Sequence, residues 1–153
     1  MPYSFVPLRW RDATAAAQWH YDEPYAIYDF DAWGLRTTAV LQSIVRIAVF
    51  FSMLDEQGEL LGLFTFTRLG DTVEVGVGMR PDLTGKGRGV EYFNAALEFA
   101  RQRYQPKRFM LTVAAFNVRA QRVYTQAGFA PVRTFRRRTR GGWTDHIEMQ
   151  RDA

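Results

Sequence analysis

The pattern of apolar and polar positions changes character twice along the chain. Residues 5–9 have the length and composition of an opening strand, and Asp12 stands as a helix cap before the helix-forming run 13–19. Residues 47–54 and 60–67 are rich in apolar and aromatic side chains, with the turn Glu56-Gln57-Gly58 between them, which predicts an antiparallel hairpin. A second turn, Leu69-Gly70-Asp71, leads into a third strand over 73–79. From Gly89 the period becomes helical: Val90, Phe93, Leu97, Ala100 and Tyr104 fall on one side, while Glu91, Glu98, Arg101 and Arg103 lie elsewhere around the cylinder. That helix has to stop before Pro106. A strand over 108–115 follows, then a short helix opened by Asn117 and stopped by Gly128, then a hairpin of 131–139 and 143–150 around Gly141-Gly142. Meander, helix, strand, helix, hairpin predicts an α/β (α+β) fold: one central mixed, mostly antiparallel sheet flanked by helices, with a C-terminal β-hairpin.

One stretch does not fit this alternation. Residues 21–31 carry four carboxylates (Asp22, Glu23, Asp29, Asp31) and three tyrosines (Tyr21, Tyr25, Tyr28) around Pro24, which predicts a loop or short helix.

Composition narrows the function classes. With 153 residues, 47% apolar and 24% charged, the chain is expected to be a single domain, 1–153, with one core. It has no cysteine, which excludes disulfides, thiolate zinc sites and a cysteine nucleophile. His20 and His146 are its two histidines and show no zinc-ligand spacing, so no metal is expected. Residues 1–11 lack the apolar stretch of a secretory signal and the apolar run 47–51 is far short of a membrane span, so a cytoplasmic location and no membrane partner are expected. The net charge of +4 suits two anionic partners equally, nucleic acid or a nucleotide cofactor.

The most informative segment is 73–89, which reads Val-Glu-Val-Gly-Val-Gly-Met-Arg-Pro-Asp-Leu-Thr-Gly-Lys-Gly-Arg-Gly: a strand, a glycine-rich turn, then a helix start. Unpaired N–H groups at a helix start, helped by its dipole, hold a pyrophosphate, and Gly85, Gly87 and Gly89 let the backbone approach. Lys86 is followed by Gly87, not Ser or Thr, which excludes a Walker loop. The third glycine comes one residue early for the dinucleotide fingerprint. A second pattern, Asn117, Ala120, Tyr124, Gly128 and Phe129, follows downstream; taken singly these read equally as a cap, a core aromatic and a helix stop.

In this order and spacing the two patterns resemble the GNAT superfamily of acetyl-coenzyme A dependent N-acetyltransferases, over most of the chain. The resemblance implies coenzyme A contacts at Thr84, Gly85, Lys86, Gly87, Arg88 and Gly89, with Thr84 standing where the family has Arg or Gln, and at Asn117. It also implies a β-bulge at Val77, Gly78 and Met79 whose backbone bonds the pantetheine arm, the N–H near Met79 serving the oxyanion. The implied reaction is direct attack of an amine on the thioester, with Tyr124 as general acid toward the leaving thiolate. The glutamate some relatives carry on the strand after the long helix is Thr112 here, so Glu74 stands as the replacement base. The acceptor is expected to be a small-molecule amine or a peptide amine, met by Tyr25, Tyr28 and Asp29 of the acidic-aromatic segment, in a monomer or homodimer. A non-catalytic acetyl-coenzyme A sensor and a basic nucleic-acid module built on Arg133, Arg136, Arg137, Arg138 and Arg140 are the alternatives; no nucleic acid is expected, for want of a base-stacking platform.

Overall fold

The computed structural model describes residues 2–29, 49–139 and 142–153. Seven described strands form one sheet in the order β1-β2-β3-β4-β5-β7-β6. They are β1 (Ser4–Pro7), β2 (Val49–Leu54), β3 (Leu60–Leu69), β4 (Thr72–Met79), β5 (Arg108–Ala114), β6 (Ala130–Thr139) and β7 (Gly142–Asp152). The described helices are α1 (Trp10–Ala16), α2 (Gly89–Tyr104) and α3 (Val118–Gln126), with 3-10 turns at Tyr25–Tyr28 and Pro81–Leu83. The pairing is antiparallel except where β4 runs parallel to β5, so the sheet is mixed and mostly antiparallel. Residues 30–48, 140 and 141 lie outside the description, and with them Phe30, Asp31, Arg140, Gly141 and the first residues of the expected strand 47–54.

The chain forms two compact units, residues 1–67 with 77–84 and residues 68–76 with 85–153. In the first, β1 and β3 flank β2, and Phe51, Met53, Leu63, Phe64 and Phe66 are buried. Phe5 meets Phe64 edge-on at 5.8 Å between ring centroids, and Phe64 stacks on Phe66 at 6.3 Å. The β2–β3 turn closes where Gly58 takes φ +81°, a left-handed conformation open to glycine, and Asp55 accepts the N–H groups of Gln57 and Glu59. Helix α1 is held by Ala16 and Trp19, which cluster with Leu63 of β3.

Helix α1 begins earlier than expected. Arg9 occupies the cap position and makes no side-chain cap bond; Asp12 lies in the first turn and is buried. Its carboxylate accepts from the Arg9 guanidinium at 2.6 and 3.1 Å. Burial works against its charge, and the Arg9 guanidinium, the Ser52 hydroxyl and the Arg11 charge together outweigh that, holding the carboxyl below its ordinary value. An acidic side chain still favours the helix start there, through the dipole rather than as a cap.

In the second unit the alternation of β5 sorts its residues: Phe109, Leu111 and Val113 are buried, while Met110 and Thr112 are half-buried. Phe93, Ala96, Leu97 and Ala100 of α2 are buried, as the helical period predicts, together with Val73, Val75 and Met149. Helix α2 ends at Gln105, whose φ of 50° makes it a left-handed cap ahead of Pro106. Strand β7 pairs with β5 from Arg108↔Asp152 to Ala114↔His146, and with β6 on its other side. The arginines of β6 are distributed by strand alternation: Arg133 meets Glu148 at 3.2 Å, Arg136 lies 3.8 Å from Asp145, and Arg137 donates to the Thr112 hydroxyl at 3.3 Å. No helix of the described residues is long and apolar enough to cross a membrane.

Candidate active site

Within the second unit, the glycine turn delivers the chain to the first residue of α2. Gly85 and Gly87 take φ of +71° and +79°, where a larger side chain is strained, and Gly85, Lys86, Gly87 and Arg88 are exposed. A Cβ added at Gly87 would meet nothing within 4 Å, so the backbone there is bare. Arg88 holds the cap position of α2 without a side-chain cap bond. Its guanidinium instead donates to Glu91 at 3.1 Å and lies 5.1 Å from the Tyr92 ring centroid. A 16-residue helix therefore starts directly after an exposed glycine turn with no side-chain cap from Arg88, the arrangement that attracts an oxyanion.

Helix α3 packs against this turn. A Cβ at Gly89 would lie 3.0 Å from Val123 Cγ2, a tight contact that a glycine avoids, whereas one at Gly85 would lie at an ordinary 3.4 Å from the tip of Arg119. Buried Asn117 caps α3, its Oδ1 accepting from the Ala120 N–H at 3.0 Å. Gly128, with φ +94°, turns the chain at its far end, as the sequence suggests. Between them Tyr124 is half-buried, its ring 4.9 Å from that of Phe93 and 6.4 Å from that of Phe129. The unit thus brings the glycine turn and the face of α3 that carries Val123 and Tyr124 together at the start of α2, with Asn117 at the head of α3. Glu74 is half-buried on β4, level with Met110, and has no ion-pair partner among the described residues. The parallel pairing of β4 with β5 covers Thr72, Val73 and Glu74 and stops there, freeing the backbone of Val75 and Gly76 from that neighbour.

The first unit holds the remaining candidates. Val77 is exposed, and Gly78, Met79 and Thr84 are half-buried; the Thr84 hydroxyl donates back to the Pro81 carbonyl at 2.7 Å. The Met79 carbonyl accepts the Tyr21 hydroxyl at 2.6 Å. The next N–H, of Arg80, donates to Leu61 O at 2.9 Å, and the Arg80 guanidinium reaches Leu60 O and Asp82. In the acidic-aromatic segment Asp22 and Glu23 are exposed, while Tyr25 and Tyr28 sit half-buried in the 3-10 turn. Asp29 is buried, with one oxygen accepting the Tyr21 N–H at 2.9 Å and the other 3.1 Å from His20 Nδ1. Its carboxylate is engaged inside the segment.

Residues 6–129 match the profile described as acetyltransferase (GNAT) family. The chain belongs to that family. It is therefore an acyltransferase with a GNAT-like fold, the mixed seven-stranded sheet and C-terminal hairpin included. Among solved structures it is similar to spermidine N-acetyltransferase from Vibrio cholerae in complex with CoA and spermine, with TM-score 0.80 and 18% identity over 99% of this chain and 95% of that one. It is also similar to ribosomal-protein-S5-alanine acetyltransferase from Vibrio fischeri, with TM-score 0.68 and 17% identity over 99% of this chain and 93% of that one. No curated protein matches it in sequence.

For this GNAT family member, sequence reasoning missed the residues that act through contact geometry. Val123 and Phe93 are apolar residues whose meeting with Gly89 and Tyr124 requires the helix packing to be known. Gly62 had no signal either: a Cβ there would lie 2.7 Å from Met79 Sδ and 2.9 Å from the Gly78 carbonyl oxygen. Tyr21 was visible only as one aromatic among several. Burial, with the Asp29 charge adding to it, pushes the Tyr21 phenol well above its ordinary value, so in the folded protein it stays a donor. An unfolded chain releases that proton at about pH 10 while the folded chain keeps it, so this group's contribution to stability falls as pH rises above that value. Urea denaturation of the wild type and Tyr21→Phe should therefore show a stability gap that is constant below about pH 9 and narrows above about pH 10. A gap that stays constant up to pH 11 contradicts the buried, protonated phenol.

Proposed function

We propose that the protein is an N-acetyltransferase that moves an acetyl group from acetyl-coenzyme A to a primary amine, by direct attack through a tetrahedral intermediate. The observation that carries this reading is the bare glycine turn at the uncapped start of α2, packed against the helix that holds Tyr124. Backbone N–H groups of residues 85–89 hold the pyrophosphate in this reading, so Thr84, whose own N–H donates to the Pro81 carbonyl at 3.2 Å, serves where relatives have Arg or Gln. Lys86 and Arg88 add positive charge beside it, and Asn117 supports the turn by capping α3. The pantetheine arm follows the backbone of Val77, Gly78 and Met79, as the family pattern implies.

The amine nitrogen attacks the thioester carbonyl carbon, the oxyanion is met by the Met79 N–H, and collapse breaks the C–S bond. One proton leaves the amine and one joins the thiolate. Glu74, directly or through a water, takes the first; Tyr124 gives the second, since a phenol of pKa about 10 is protonated at neutral pH and can donate to a thiolate of basicity about 8.5. Exchange with solvent restores both groups. An α-amine of pKa about 8 needs little help from the base, because part of it is already neutral.

The acceptor proposed is a small cationic amine, of which the spermine bound in the Vibrio cholerae relative is one example. Exposed Asp22 and Glu23 draw it in, Tyr25 and Tyr28 offer their rings, and buried Asp29 acts by holding the segment.

Two measurements test the reading. Asp and Asn have the same shape and both tolerate a positive φ, so Gly87→Asp and Gly87→Asn separate charge from strain. Calorimetry should show coenzyme A binding about tenfold or more weaker in Gly87→Asp than in Gly87→Asn, since a like charge then faces the pyrophosphate. Equal affinities remove the pyrophosphate from this turn. With an amine found by screening for acetyl-coenzyme A consumption, Tyr124→Phe should lower kcat and kcat/KM together by about 10²–10⁴ while coenzyme A affinity stays within a few-fold. Full turnover in a well-folded variant would move Tyr124 to the core, and a wild type inactive on every amine favours the sensor.

A further inference from the structure

The peptide joining Met79 to Arg80 is held at both polar ends by different elements. Its carbonyl accepts the Tyr21 hydroxyl at 2.6 Å, and its N–H donates to Leu61 of β3 at 2.9 Å. Gly62 crowds the preceding peptide, Gly78–Met79, so closely that even a methyl group would strike the Gly78 carbonyl oxygen. The peptide after Met79 is thus pinned at both ends and the one before it, which carries the Met79 N–H, is confined by Gly62, so the backbone on both sides of Met79 is restrained. Tyr21 itself is fixed by Asp29, which accepts its backbone N–H, and the same carboxylate faces His20.

We infer that Tyr21 is a positioning residue: its hydroxyl fixes the Met79 backbone that meets the thioester oxygen, and joins that backbone to the segment that receives the amine. The inference rests on the coenzyme reading above. Tyr21 transmits: Asp22 and Glu23 follow it directly in the chain, so an amine drawn to them bears on the residue that sets the Met79 peptide. The high proton affinity of the buried phenol keeps the tether in place across the neutral and mildly alkaline range.

Hydrogen exchange read by mass spectrometry, with acetyl-coenzyme A as the probe, tests this without knowledge of the acceptor. In the wild type, acetyl-coenzyme A should slow exchange in both segments, 77–80 and 85–89. In Tyr21→Phe the protection at 77–80 should fall by about tenfold while that at 85–89 is kept, under conditions where circular dichroism shows the variant folded. Gly62→Ala, which disturbs the adjoining Gly78–Met79 peptide from β3, should give the same split, so an unstable Tyr21→Phe does not block the test. With the screened amine, Tyr21→Phe should lower kcat about tenfold at unchanged coenzyme A affinity. Full protection at 77–80 in both variants, or a wild-type kcat in folded Tyr21→Phe, overturns the positioning role. Absence of protection at 85–89 in the wild type overturns the coenzyme reading on which it rests.

Discussion

The contact between α2 and α3 is the constraint on which the second unit depends. Phe93 meets Tyr124 four residues beyond Gly89, and Gly89 itself admits Val123 at van der Waals limits. A methyl group at Gly89 would require Val123, next to Tyr124, to give by a few tenths of an ångström. The same packing fixes where the first turn of α2 points and leaves the turn before it bare. Burying Phe93, Leu97 and Phe129 supplies the driving force, at roughly 1.5–3 kcal/mol for each large apolar side chain fully removed from water. The anion-attracting helix start and the phenol are thus products of one packing event.

A different logic holds the first unit. There the strand end of β4 is secured by polar contacts whose groups have little access to water: the Tyr21 hydroxyl, the Leu61 carbonyl, and Asp29 behind Tyr21. Buried polar groups are costly to leave unpaired, so such a cluster adopts one arrangement or loses several bonds together. That suits a segment whose backbone has to meet a ligand at a defined angle, where apolar packing alone tolerates small shifts.

Much of this was legible in the sequence because the signals were local. The helical period from Val90 to Tyr104, the Asn117 cap, the Gly128 stop and the glycine turn each depend on a few neighbouring residues. The family resemblance rested on the same local motifs, and its expectation of the sheet and hairpin holds. What the sequence did not reveal depends on distant partners. Asp12 looked like a cap because its type and place fit one, yet Arg9 claims its carboxylate. Asp29 is the acid singled out with Tyr25 and Tyr28 for the acceptor, yet it alone among Asp22, Glu23 and Asp29 is buried, which only the fold reveals. The end of β4–β5 pairing at Glu74 and the tether from Tyr21 to Met79 leave no composition signal at all.

The arginine-rich hairpin shows why a charge run is weak evidence of a partner: strand alternation sends Arg133 and Arg136 to Glu148 and Asp145, on opposite faces. The account's central claim lies elsewhere, in the turn before α2. It is tested most directly by following backbone amide signals by NMR as coenzyme A is added. Binding of the pyrophosphate predicts large downfield shifts of the N–H groups from Gly85 to Gly89, with small changes along β6. Shifts concentrated on β6, with the turn unmoved, would contradict it.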